Sequence, residues 1–351
     1  MWKKVEFQKA QINYAGKHIN DIDLNEEQRL ECLQIIDNWR AAHAFPMNTF
    51  AIQLKHLTQN IKNAIVVQRL KRLDTIVDKL KRFPSMELYR MQDLGGCRVI
   101  VPNIENVYQV VDRLRNSRIR HVEHNYKDYI AIPNPNTGYR GYHLIYRYKS
   151  DKRDDYNGLQ IEIQIRTVFQ HLWATAVEMV GMFTDNGLKF NQGSEDWLHF
   201  FKLVSGLFAI EEQAAVPEGV PTNIEQLMTE LRNIMIKLDA ANKLLTIGLA
   251  TRVVGHIKKT KKPGYYLLIM NLNERSLTVN TYPGIKNGLD KATEDYNRIE
   301  KEKENKKIDA VLVSAQSYES IVSAYPNYFA NISSFTKLLS TLLGKYMRKN
   351  Q

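Results

Sequence analysis

Apolar positions near the start of the chain recur at helical spacing. Across Asn25–Ala42, Leu30, Leu33, Ile35 and Ile36 gather near one side of a helical turn. Glu26 and Glu27 stand where a helix N-terminus favours negative charge. The pattern predicts a helix there, continuing in the same style over Phe50–Arg82 and stopping at Pro84. The period then shortens. Asp93–Val101 turns through two glycines into an apolar run, and Val107–Arg115 returns to helical spacing. Tyr126–Ile132 and Tyr142–Tyr148 read as strands joined by a Pro/Asn/Gly loop. Leu159–Arg166 alternates strictly, with Leu159, Ile161, Ile163 and Ile165 on one face and Gln160, Glu162, Gln164 and Arg166 on the other. A helix from Val168 to about Phe183 closes the block. The expected fold is α/β (α+β), a mixed sheet flanked by helices.

Residues 196–250 are helical again, interrupted at Pro217, Gly219 and Pro221. Beyond Arg252 the pattern predicts a hairpin of Tyr265–Met270 and Ser276–Tyr282 around Asn273-Glu274. A charged helix over Leu289–Lys307 follows, with Glu302 and Lys306 paired at i, i+4, then a buried strand over Ile308–Val313 and two closing helices. Two domains are expected: residues 1–250, with a helical N-terminal part and a helical linker over 196–250, and a small α+β domain over 251–351.

Composition narrows the function classes. Of 351 residues, 44% are hydrophobic and 25% charged, which excludes wholesale disorder. No apolar run approaches the roughly 20 residues of a membrane span. Met1–Ala10 carries charge early and has no apolar signal segment. Cys32 and Cys97 are the only cysteines, which excludes a disulfide framework and fits a cytoplasmic chain with no membrane partner. A net charge of +11 points to a polyanionic partner: nucleotide phosphates, RNA or an acidic surface.

Four segments carry candidate chemistry. Over Gln68–Arg82, Lys71, Thr75, Lys79 and Arg82 recur at three or four residues, with Arg69 and Arg72 beside them. Such a set serves either as a solvated cationic face or as a polyphosphate clamp. Asp93 precedes two glycines that permit close approach of a ligand, or it is simply a turn residue. Glu162 stands between Gln160 and Gln164, as on any solvated strand face or in a metal or sugar-hydroxyl site. Lys127–His143 interleaves Tyr129, Tyr139 and Tyr142 with Lys127, Arg140 and His143, a mixture that stacks bases and holds phosphates or fills a core.

In this order the segments resemble the RelA/SpoT nucleotidyl pyrophosphokinase (alarmone synthetase) family over roughly residues 40–210. The matching pieces are R-x-K with T-I-x-x-K-x-x-R (Arg69 to Arg82), D-L-x-G-x-R (Asp93 to Arg98), and K-D-Y-I with N-x-G-Y-R-x-Y-H (Lys127 to His143). They continue with E-I-Q-I-R-T (Glu162 to Thr167) and H-x-W-A-x-x-x-E (His171 to Glu178). No H-D hydrolase segment stands upstream, as in synthetase-only short members.

The resemblance implies transfer of the β,γ-pyrophosphate of Mg2+-bound ATP to a ribose 3′-hydroxyl. It implies adenine between Arg69 and Arg98, phosphates on Lys71, Lys79 and Arg82, and Mg2+ on Asp93 with Glu162 as second ligand or as base. It also implies an acceptor base on Tyr139, with Lys127, Asn136, His143 and Gln164 around it.

Two departures shape the expected acceptor. After Glu178 the chain runs Met179-Val180-Gly181-Met182-Phe183 where housekeeping synthetases are polar or basic, and Arg113, Arg115, Arg118 and Arg120 form a second basic cluster suited to RNA phosphates or to solvent. Both resemble toxic members of the family, which modify the 3′-terminal adenosine of deacylated tRNA. The C-terminal hundred residues resemble the fused antitoxin of CapRel-type toxin–antitoxin proteins, a domain like a zinc finger without metal ligands. No Cys follows Cys97, and His256 is the only His after His199. Tyr325-Pro326-Asn327-Tyr328 matches the Y-x-x-Y neutralising motif of that group. The resemblance implies autoinhibition by Tyr325 and Tyr328 and release by a phage capsid-type protein at the C-terminal domain. The alternative is a small alarmone synthetase making (p)ppGpp from ATP and GTP or GDP.

Overall fold

Local sequence sets the first elements. Asn25 caps helix α2 (Glu26–Ala42): its side chain accepts from the Gln28 amide at 2.8 Å, while the Gln28 side chain accepts from the Asn25 amide at 3.1 Å. The computed structural model describes residues 2–185, 194–249, 252–253, 264–271, 276–284, 286–302, 308–315, 321–322 and 332–348. Within it α1 (Lys9–His18), α2 and α3 (Ala44–Leu57) precede strand β1 (Ile65–Leu70), and α4 (Leu73–Arg82) follows. The central block is β2 (Gly95–Val101), α5 (Ile104–Arg115), β3 (Val122–Asp128), β4 (Tyr142–Arg147), β5 (Gln160–Thr167) and α6 (Val168–Asp185). Then come α7 (Ser194–Glu211), α8 (Ile224–Leu238), α9 (Ala240–Leu249), β6 (Arg252–Val253), β7 (Gly264–Asn271), β8 (Ser276–Pro283), α10 (Lys286–Glu302), β9 (Ile308–Ala315) and α11 (Ser333–Arg348). No helix among the described residues is long and apolar enough to cross a membrane.

The expected α/β sheet is present, with two corrections. Strand β3 ends at Asp128, whose side chain accepts from the Ile130 and Ala131 amides and turns the chain, so Tyr129–Ile132 of the expected strand lie beyond it. Ile65–Leu70 forms a strand where a continuous helix is predicted. Ile65, Val66 and Val67 are β-branched and stiff at χ1, and the segment gains antiparallel partners on both sides, β2 and β9. Lys71 consequently lies before α4 and is not on its face.

The strands run β3-β4-β5-β2-β1-β9-β7-β8-β6 in one sheet; β2–β5 and β6–β8 are parallel and the other pairs antiparallel. Strand alternation gives the first half of this sheet two characters. Val66, Cys97, Val99, Ile161, Ile163, Tyr142, Leu144 and Tyr146 pack against α1–α3 and α5 in one core. The other face carries Arg69, Gly96, Arg98, Glu162, Gln164 and His143, which are side by side in the register.

The sequence expectation places a domain boundary near residue 250. The sheet crosses it, because β9 pairs with β1 through Gln68↔Ser314 and Arg69↔Val313. On the face of Arg69, fully buried Val67 joins Tyr266, Leu268, Val311, Val313 and Ile321 in one apolar cluster. The last helix returns to the N-terminal half: Phe335, Leu339 and Leu342 of α11 are buried with Met179 and Val180 of α6 and with α7–α9. Each such side chain contributes on the order of 1.5–3 kcal/mol on burial. The apolar run after Glu178 is thus packing surface at Met179 and Val180. Arg40 of α2 donates to the Tyr296 hydroxyl of α10 at 3.1 Å, a second tie between the halves.

Candidate active site

Lys71 leaves β1 with its amide bonded to the Leu94 carbonyl at 2.8 Å, which sets the strand end beside the turn that carries Asp93. From there Lys71 Nζ donates to Asp93 at 2.8 Å, and Lys79, in the last turn of α4, donates to both carboxylate oxygens at 3.0 Å. Burial pushes the Asp93 carboxyl up, and the two ammonium groups outweigh it, holding it below the usual carboxylate range.

The two glycines after Asp93 have different duties. A Cβ at Gly95 would meet His43 Cβ at 3.0 Å and Ile161 Cδ1 at 3.1 Å, so packing under the sheet excludes a side chain. A Cβ at Gly96 would meet only the Glu162 carbonyl at 3.6 Å, and the space above it is a cavity of about 180 Å³. Arg69, Lys71, Asp93, Gly96, Cys97, Arg98, Glu162 and Gln164 line that cavity. With Lys79 on Asp93, four cations face two carboxylates, an excess suited to a polyanion.

Glu162 reaches the cavity from the centre of β5. Its Oε1 accepts from His143 Nδ1 at 3.0 Å and its Oε2 from Gln164 Nε2 at 2.8 Å. Burial pushes this carboxyl up and nearby Asp93 adds to that, but the His143 and Gln164 bonds hold it below its ordinary value. His143 Nε2 lies 2.6 Å from the Tyr139 hydroxyl, to which Arg166 Nε donates at 3.0 Å. Arg166 is buried and also donates to Gln164 Oε1 at 2.9 Å.

Sequence-predicted residues thus divide. Arg69, Lys71, Lys79, Asp93, Arg98, Glu162 and Gln164 converge. His143 joins them by its bond to Glu162 and Tyr139 by its bond to His143, and the Arg166 guanidinium packs against the Tyr139 ring at 5.2 Å. Lys127 is exposed and pairs in register with His143 at the neighbouring strand, its Nζ 5.9 Å from the Tyr129 ring centre. Arg82, three residues beyond Lys79, is exposed beside Phe83, and Asn136 lies exposed in the 134–138 loop.

The arginines of the second basic cluster, Arg113, Arg115, Arg118 and Arg120, have different surroundings. Arg113 donates to the Leu57 carbonyl at 2.7 Å, Arg115 grips Glu123 with two bonds of 2.9 and 2.7 Å, and Arg120 pairs with Asp151. Arg115 also sits over Tyr142, whose side chain points away from the His143 face, so this arginine lies on the α5 side of the sheet. Arg118 is exposed. Tyr325 and Tyr328 lie outside the described residues. Gly96 lines the cavity, and Arg166 stands behind it on Gln164 and Tyr139; the alternation of β5 already puts Arg166 on the face of Glu162.

Residues 68–181, which hold every lining residue of the cavity, match the family model described as "Region found in RelA / SpoT proteins". Two Bacillus subtilis proteins are similar: GTP pyrophosphokinase YjbM, 32% identical over 112 residues, and GTP pyrophosphokinase YwaC, 35% over 113. These alignments take in 31% and 30% of this chain and 52% of each relative, so the chain spans about half the length of the curated relatives it matches. Among solved structures, the small alarmone synthetase 1 of Bacillus subtilis bound to its product pppGpp aligns at a TM-score of 0.40 and 22% identity, covering 55% of this chain and 93% of that one. A GTP pyrophosphokinase family protein of Streptococcus pneumoniae aligns at 0.42 and 22%, covering 54% and 91%.

Proposed function

We propose, from the RelA/SpoT domain that residues 68–181 carry, that the chain is an ATP-dependent pyrophosphokinase. The observation that supports this best is the single cavity in which Asp93 and Glu162 meet a surplus of cations. The acceptor's O3′–H proton passes to Glu162. A bond forms between O3′ and the β-phosphorus of ATP, and the bond from that phosphorus to the α,β-bridging oxygen breaks, so AMP leaves. Little covalent chemistry falls to the protein; positioning and charge neutralisation dominate such transfers. Arg69 and Arg98 stack on the adenine, and Lys71 and Lys79 exchange Asp93 for phosphate oxygens, with Arg82 next along α4.

Mg2+ enters as part of the substrate. Asp93 would hold it, with Glu162 as a second ligand only if it is not the base; a magnesium ion on phosphates takes only one or two carboxylates. The ion supplies neutralisation of phosphate charge. Gly96→Val tests the cavity: its first side-chain atom is tolerated at 3.6 Å, while the rest fills the space. The expected result is an unchanged melting temperature and an ATP KM raised by roughly tenfold or more.

The acceptor we favour is the 3′-terminal adenosine of deacylated tRNA, so that the enzyme blocks translation. Supporting this are the +11 charge and the replacement of a polar segment after Glu178 by packing residues. The names of the two Bacillus subtilis relatives favour a second reading, GTP or GDP as acceptor. Labelled ATP decides between them: label on deacylated tRNA supports the first, label on GTP or GDP the second.

The C-terminal part serves as an antitoxin in this reading, opened by a phage capsid-type protein. Support comes from its attachment at two places: β9 pairs with the strand that bears Arg69, and α11 is buried against α6. Tyr325 and Tyr328 belong to the stretch between these anchors.

A further inference from the structure

The hydrogen bonds around Glu162 close into a ring. Two arms leave Arg166: one runs through the Tyr139 hydroxyl and the His143 imidazole, the other through the Gln164 amide, and they end on the two oxygens of one carboxylate. With a single proton on the His143 ring, donor and acceptor chemistry fixes every direction. A guanidinium only donates and a carboxylate only accepts. Gln164 therefore accepts from Arg166 with its carbonyl and donates with its amide. His143 must carry a proton on Nδ1 to bond Glu162, and its Nε2 accepts from the Tyr139 hydroxyl. Burial pushes the Tyr139 phenol up against the pull of Arg166, which keeps it a donor. All bonds then run from guanidinium to carboxylate with no conflict.

A glycine makes room for this ring. A Cβ at Gly141 would stand 2.9 Å from the Tyr139 hydroxyl oxygen and 3.3 Å from Arg166 Cγ. The close approach needed at that hydroxyl is thus written into the backbone.

Resting on the pyrophosphokinase reading, we propose that Tyr139, His143 and Arg166 are positioning residues that act through Glu162. The ring holds both carboxylate oxygens in one orientation, so that the remaining lone pairs face the cavity where the acceptor hydroxyl arrives. Tyr139 contributes its hydroxyl to this ring, which leaves its ring face for the acceptor base that the family resemblance implies. Acting on orientation, these residues govern kcat rather than acceptor affinity.

Tyr139→Phe keeps the ring face and removes the hydroxyl, so it separates the two roles. In the full chain, activated by Tyr325→Ala and Tyr328→Ala, Tyr139→Phe is expected to lower kcat by roughly 10- to 100-fold with acceptor KM within about twofold. Gly141→Ala, which displaces the hydroxyl without touching Tyr139, is expected to do the same. His143→Asn, which retains a donor toward Glu162, is expected to keep more activity than His143→Ala. A Tyr139→Phe enzyme with unchanged kcat, or with acceptor KM raised and kcat intact, overturns the proposal.

Nitrogen-15 NMR of the His143 ring supplies a readout independent of turnover. The expected state is a proton on Nδ1 in the parent chain, and a mixture of tautomers in Tyr139→Phe. A parent His143 protonated on Nε2 alone overturns the ring whatever the activity. Should the activated chain transfer pyrophosphate to no acceptor, the reaction reading fails, and the tautomer still decides the ring.

Discussion

Glu162→Gln is expected to slow pyrophosphate transfer by roughly 10²–10⁴-fold, the usual contribution of a positioned general base. Glutamine is nearly isosteric, and Oε1 can still accept from His143. What disappears is the charge that draws the hydroxyl proton. The effect belongs to kcat and kcat/KM together, with ATP KM little changed, because the adenine and phosphate contacts come from other strands. Loss of ATP binding in parallel with turnover would instead mark Glu162 as a ground-state ligand.

The pH dependence follows from the same environment. His143 and Gln164 hold the folded pKa of Glu162 below its ordinary 4.5, so the carboxylate is ionised throughout the neutral range. A depressed carboxyl stabilises the fold above its unfolded pKa, and the stabilisation is lost as pH falls through the folded value. The parent should therefore lose stability below about the ordinary Glu value, and Glu162→Gln should lose less. Urea midpoints at neutral pH and in that acidic range check the sign. A larger acid loss in the glutamine variant would contradict the assignment.

Tyr325→Ala and Tyr328→Ala are expected to arrest growth on expression, and adding Glu162→Ala is expected to restore it. Physically, two phenol rings stacked on Arg69 and Arg98 would occupy the ATP site. Ile321, four residues before Tyr325, is fully buried in a cluster with Val67, two residues before Arg69 on the same face of β1. Ile321→Asp puts a charge into that cluster and is expected to be toxic for the same reason. Inverting a 99:1 closed population takes about 5.5 kcal/mol of differential trigger affinity. Normal growth of all three variants, with the proteins present at parent levels, would remove the neutralising role.

Legibility in the sequence varied with the range of the forces involved. The alternation of Leu159–Arg166 gave β5 and both its faces, because a period of two is a local property. The turn at Asp93, the helices over 26–42 and 168–185, and the hairpin strands of 264–271 and 276–283 followed from equally local signals. Gln68-Arg69-Leu70 did not: charged neighbours mask a short strand whose stability comes from partners at residues 95–100 and 313–314. The partners of the basic cluster after Val111 were hidden for a related reason. Net charge counts arginines, but the Leu57 carbonyl, Glu123 and Asp151 that take up Arg113, Arg115 and Arg120 lie up to tens of residues away.

By itself the chain's sequence determined which residue types were on hand for phosphate chemistry, their order, and the face of β5 that offers a carboxylate between two amides. Tertiary structure alone decided that Lys71 and Lys79 meet on Asp93, that Arg166 closes a ring on Glu162, and that the C-terminal strand β9 docks beside Arg69. The reason is geometric: a side chain's partners across a sheet are set by strand register between distant segments, and no local period encodes that register.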